Sequence, residues 1–117
     1  MGEAGYKKLI VWQKANDLAK EVYIATKCFP KEELFGVNSQ LRRAALSVPL
    51  NIVEGYARRG KNELKYFLSI ALGSLTEVEY LFDFSLEMGF LKKDLHQKLS
   101  ELRSEVGKLL WGFYKSC

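Results

Sequence analysis

The chain has 117 residues, of which 48% are hydrophobic and 27% charged, and carries a net charge of +4 with a pI near 9.1. That length makes one domain with a core of its own, and that composition excludes intrinsic disorder. Apolar runs such as Leu9–Trp12 are far too short to span a bilayer, and no basic-then-apolar leader opens the chain, so a cytoplasmic protein with no membrane role is expected. Met1-Gly2 suggests a myristoyl acceptor, but that motif asks for Ser or Thr at position six, which is Tyr6. Cys28 and Cys117 are too few and too far apart for a disulfide framework or a zinc site.

Pro30, Gly36, Gly60 and Gly89 divide the chain into four segments of helical length, none with the alternation of a strand. The first, about 10–27, places Trp12, Ala15, Leu18, Ala19, Val22 and Tyr23 on one face and ends at Phe29-Pro30. The second, about 36–59, is capped by Asn38 or Ser39 and carries Pro49 inside it. A kink near Ala45 is expected there, with Gly60 as the left-handed residue after the helix. The third, about 62–88, buries Leu64, Phe67, Leu68, Ala71, Leu75, Val78, Leu81, Phe82 and Ser85, and stops at Gly89. The fourth, about 92–115, holds a heptad seam of Leu95, Leu99, Leu102, Val106, Leu109 and Phe113, with Trp111 and Tyr114 off the seam. Short connections between amphipathic helices predict an all-α, antiparallel up-down four-helix bundle in a single domain.

Two helices carry more than a core face. The second has an apolar stripe of Leu41, Ala44, Ala45, Val48, Ile52 and Gly55. Beside it runs a wholly polar stripe of Gln40, Arg43, Ser47, Asn51, Glu54 and Arg58. The third has a second row, Tyr66, Ile70, Gly73, Tyr80 and Phe84 with Glu77 among them, which asks for a second neighbour. Small Gly73 and Ser74 would admit a close helix, so self-association is expected. Charge is also divided. Residues 42–65 hold six cations against two carboxylates, and residues 66–91 hold four carboxylates and no cation.

The polar stripe has two readings. It is a structural network of Gln40, Arg43, Asn51, Glu54 and Glu77, with Arg43 forked onto a carboxylate and Asn51 serving backbone freed by Pro49. Alternatively it lines a groove for an anion. Nucleic acid is the expected ligand, held by Arg42, Arg43, Arg58, Arg59, Lys61 and Lys65, with Tyr56 and Tyr66 available for stacking. Catalysis has little support. The one histidine, His96, is expected on the surface of the fourth helix near Lys93 and Asp94. There is no Glu-x-x-His pair for a di-iron centre and no phosphate-binding glycine loop. Glu54 and Glu77 alone do not make an acid–base pair and are expected to pair with Arg43 or Arg58 instead. No enzyme, metal or cofactor is expected.

The stretches LIVWQKANDLAKEVY, FPKEELFGVNSQLRRAALSVPLNIVEGYARR and KYFLSIALGSLTEVEYLF resemble the four-helix bundle family encoded in intervening sequences of bacterial large-subunit ribosomal RNA genes. The resemblance runs from about Leu9 to Leu110. It is carried by Trp12, Gln40, Arg43, Ala44, Asn51, Glu54, Gly55, Arg58, Gly73, Ser74 and Glu77, with Val48 and Val53 as mild aliphatic departures. It implies a bundle that assembles into a toroidal homopentamer, with no catalytic residues. A related branch is similar to the accessory variability protein of diversity-generating retroelements, which implies RNA or DNA and a reverse transcriptase as partners. The expected function is therefore a non-enzymatic, ring-forming, RNA-associated accessory protein. A protein-interaction scaffold without a nucleic-acid role is the alternative.

Overall fold

The computed structural model describes residues 5–117, so Met1 and Gly2, on which the myristoyl reading rests, lie outside the described residues. A 3₁₀ turn, Gly5–Lys8, leads into α1 (Ile10–Ala25), and Tyr6 sets its ring edge-on to Trp12 at 4.9 Å. Val11, Ala15, Leu18, Ala19, Val22 and Ala25 form the buried face of α1. Its last turn tightens into the 3₁₀ segment Thr26–Cys28 and stops at Phe29, which is extended because Pro30 follows.

Helix α2 (Val37–Ala57) starts after Gly36, with the Val37 amide donating to the Glu33 carboxylate at 3.3 Å. Asn38 and Ser39 are not its cap. Asn38 lies inside the first turn, and its buried side chain donates to the Thr26 carbonyl at 3.0 Å. The helix continues across buried Pro49, and Val48, Ile52 and Gly55 keep the apolar stripe in phase. Arg58 is already extended (φ −78°, ψ 155°), and Gly60 is extended too (φ −95°, ψ 146°). Gly60 therefore precedes α3 as its cap and does not close α2 in the left-handed region. Three residues make the whole connection, and an extended link suffices to lay the next helix alongside.

Helix α3 (Lys61–Glu87) ends as expected at Gly89, φ +79°, in a Schellman arrangement: Phe90 N donates to Ser85 O at 2.9 Å and Gly89 N to Leu86 O at 3.1 Å. Helix α4 is Lys93–Ser116. Its expected seam is only partly the buried one. Leu99 and Val106 are buried together with Leu110, which the heptad count omits, while Leu95, Leu102, Leu109 and Phe113 pack half-buried against the core. A 3.6-residue helix drifts across a strict seven-residue repeat, which moves the buried line from Leu109 to Leu110.

The helices form an antiparallel four-helix bundle of 43 × 22 × 21 Å, each packed against its two neighbours in the order α1, α2, α3, α4 and back to α1. At what is here termed the lower end, α1 and α3 begin and α2 and α4 finish. Near that end α2 and α3 approach closely at Gly55. A Cβ on Gly55 would stand 3.0 Å from Leu64 Cδ1 and 3.1 Å from Phe67 Cβ, so any larger residue here requires α3 to give by a few tenths of an ångström. Gly73 has nothing within 4 Å of a notional Cβ, so the close contact within the chain uses Ser74 and leaves Gly73 facing outward.

Candidate nucleic-acid interface

The six cations of the 42–65 segment do not form one patch. Arg42 and Arg43 lie on the upper half of α2, and Arg58 and Arg59 at its lower end, about 24 Å away at 1.5 Å per residue. Arg42 is committed to the fold. Its Nε donates to Thr26 Oγ1 at 2.7 Å, its Nη2 to the Tyr23 carbonyl at 3.2 Å, and its guanidinium lies 4.7 Å from the centre of the Tyr23 ring. Thr26 in turn donates to the Val22 carbonyl at 2.8 Å. A positive fork thus caps the negative C-terminal end of α1. Arg43 is exposed and makes no hydrogen bond or ion pair among the described residues.

The polar stripe divides similarly. Asn51 Nδ2 donates to the Ser47 carbonyl at 2.8 Å and to Ser47 Oγ at 2.9 Å, and the Ser47 and Ser74 hydroxyls share a bond of 2.8 Å between α2 and α3. Asn51 therefore serves Ser47, and not the Ala45 carbonyl that Pro49 leaves without a donor. Glu54 accepts two bonds from Arg58, at 3.0 and 2.8 Å. Gln40 and Glu77 line one shallow hollow with Thr76, Tyr80 and Leu81. Glu54 and Glu77 lie on opposite sides of the Ser47–Ser74 bridge, about 15 Å apart along the axis, so the expected five-residue network is not one network. Arg43 has no carboxylate partner in it. Ser47 and Ser74 are the members the expected network omitted, although Ser47 stands in the polar stripe and Ser74 is one of the small residues expected to admit a close helix.

At the lower end Arg58 is also internally compensated. Besides Glu54, its Nη1 is 4.0 Å from Glu63, and its guanidinium lies 5.1 Å from the Phe67 ring centre. Arg59, Lys61 and Lys65 are exposed and have no ion-pair partner among the described residues. All three sit within the α2–α3 turn and the first turns of α3. Lys65 reaches across to α4, with Nζ 4.9 Å from the Tyr114 ring centre. Tyr114 is stacked on Trp111 at 5.4 Å with 14° between the planes, and Lys115 Nζ stands 5.7 Å from the Trp111 ring. The sequence hides this group. Trp111, Tyr114 and Lys115 have helix-neighbour spacing, but their meeting with Lys65 depends on the bundle. Tyr66, expected near a nucleic-acid ligand, is 61% exposed and edge-on to Phe67; Tyr56 is exposed as well.

His96, expected to face solvent near Lys93 and Asp94, is half-buried and meets a partner on α3: its Nε2 is 2.8 Å from Asp83 Oδ1. The neighbour came from α3, out of reach of any pattern local to α4. Among the described residues, no three His, Cys, Asp or Glu side chains gather as a metal site, and no helix is long and apolar enough to cross a membrane.

Fold and site define a small antiparallel helical bundle whose lower end presents cations without ion-pair partners among the described residues, beside a stacked pair of which Trp111 is exposed and Tyr114 partly buried. Residues 7–112 match the family model described as 23S rRNA-intervening sequence protein. The chain belongs to that family. Among solved structures it is similar to a protein of unknown function from the S23 ribosomal protein family of Bacteroides thetaiotaomicron, with a TM-score of 0.82 and 21% identity over 91% of this chain and 96% of that one. No curated protein matches the chain.

Proposed function

We propose that this protein is a non-enzymatic, oligomeric RNA-associated bundle that engages the phosphate backbone through its lower end. The observation that carries the reading is the sorting of cations. Arg42 and Arg58 are used inside the fold, whereas Arg59, Lys61 and Lys65, on the α2–α3 turn and the first turns of α3, are exposed and have no ion-pair partner among the described residues. Clustered cations without carboxylate partners are what a polyanion requires, and they need no base-specific contact. The family's association with an rRNA gene points to RNA as the polyanion.

Assembly into a closed ring, a pentamer as the resemblance implies, is part of the same proposal. Its support is the outward row of α3, where Tyr66 and Tyr80 are 61% and 64% exposed beside half-buried Ile70 and Phe84. Exposed aromatics at helical spacing are suited to a neighbouring subunit. A ring would repeat the basic end around its axis, and each copy would add phosphate contacts.

Binding of a fluorescent RNA hairpin, measured from about 50 to about 200 mM salt, tests the reading. Three phosphate contacts give a slope of about −2.7 in log K against log salt for each engaged end, or roughly 40-fold over that range. No binding at the lowest salt overturns the RNA role, and an intact ring in that case supports the scaffold reading.

A further inference from the structure

We infer that Trp111 and Tyr114 form a stacking platform for an unpaired base of single-stranded nucleic acid, with Lys115 and Lys65 placed for the flanking phosphates. The inference rests on the RNA-binding reading and assigns to the same end a task that phosphate contacts alone do not perform. Four groups stand in one ladder: Lys65 over Tyr114 at 4.9 Å, Tyr114 stacked on Trp111 at 5.4 Å, and Lys115 by Trp111 at 5.7 Å. The inner member, Tyr114, packs against the core and is held by it. The outer member, Trp111, is 49% exposed, with Tyr114 stacked on its ring and the flexible ammonium of Lys115 5.7 Å from its centre.

An indole half in water, held flat by a partner ring and faced by a lysine, has the features of a base-stacking site. Every base offers a π-face, so stacking tolerates sequence, and a nearby cation neutralises the phosphate that arrives with it. When a base lands on the outer face of Trp111, the Lys115 ammonium swings from ring to phosphate on its own stem. Lys65 joins the platform to the α2–α3 turn, so the strand's path leads directly to Lys61 and Arg59. Bases inside a duplex are stacked on one another and present no free face. The platform therefore makes this end prefer single strands.

The test compares an oligouridine of about twelve nucleotides with a duplex of equal length, a span within the usual single-strand site sizes. The protein variants are Trp111→Ala, Trp111→Leu, which keeps apolar bulk without a π-face, and Trp111→Phe. Loss of one stacked base weakens oligouridine binding by about 5- to 150-fold in the first two variants. Trp111→Phe retains most of the affinity, and duplex binding is unchanged in all three. If Trp111→Leu binds oligouridine like the parent, or loses duplex and single strand equally, the platform is refuted while the phosphate reading stands. If the parent protein binds neither nucleic acid at low salt, both fall together.

Discussion

Replacing Arg42 by alanine removes a guanidinium that does three things at one place. It donates to Thr26 Oγ1 at 2.7 Å and to the Tyr23 carbonyl at 3.2 Å, and it covers the Tyr23 ring at 4.7 Å. A hydrogen bond from a charged group contributes about 1.5–3 kcal/mol where it is well desolvated, but the bond to Tyr23 is solvent-exposed and belongs at or below the low end. The cation–π contact adds about 0.5 kcal/mol at such a site, and the charge at the end of α1 a similar amount. These terms share one side chain and do not sum fully. Thr26 also keeps its own bond to the Val22 carbonyl, so no buried donor is stranded. The expected loss is about 2 kcal/mol. For a chain of this size that lowers the melting temperature by roughly 8 °C. Thermal unfolding followed by circular dichroism measures it, with urea unfolding as the independent check. Arg42→Lys restores the charge but not the fork, and recovers less than half. A melting temperature within about 2 °C of the parent for Arg42→Ala would refute the assignment of Arg42 to the fold.

Gly55→Ala gains up to about 1 kcal/mol of helix propensity. Its methyl nevertheless lands 3.0 Å from Leu64 and 3.1 Å from Phe67, so urea unfolding should show a net loss of about 1–2 kcal/mol. Ser47→Ala removes the hydroxyl that links α2 to Ser74, and the same assay should show about 1 kcal/mol lost. Tyr80→Glu places a charge beside Glu77 on the outward row of α3; sedimentation should show smaller species while the helical signal of each subunit is kept.

The architecture was legible because each helix carries one continuous apolar face with glycine or proline at its boundary. Leu18, Val22, Leu75, Val78 and Phe82 could be placed in the core from spacing alone, and all are buried. Family membership was legible in the same stretches, most densely in residues 40–58. Cap chemistry was not. Asn38 has the right residue type for a cap, but a tertiary partner, the Thr26 carbonyl, outcompetes the local one. The candidate site was half legible. Sequence supplies a list of cations, and only the fold separates them. Arg42 finds the end of α1, Arg58 finds Glu54 one helical turn away, and Arg59, Lys61 and Lys65 find no carboxylate among the described residues. Glu54 at four residues from Arg58 is a local signal that marked that pair in advance. Nothing local marked Lys65 with Tyr114, because forty-eight residues of chain lie between them.

The sorting of cations is tested most directly by the salt dependence of RNA affinity in two variants. One replaces Arg59, Lys61 and Lys65 by alanine together; the other is Arg42→Ala, measured well below its melting temperature. The expected result is a slope shallower by about 2.7 in the triple variant and an unchanged slope in Arg42→Ala. Equal slopes in the parent and the triple variant, or an equal reduction in both variants, would contradict it.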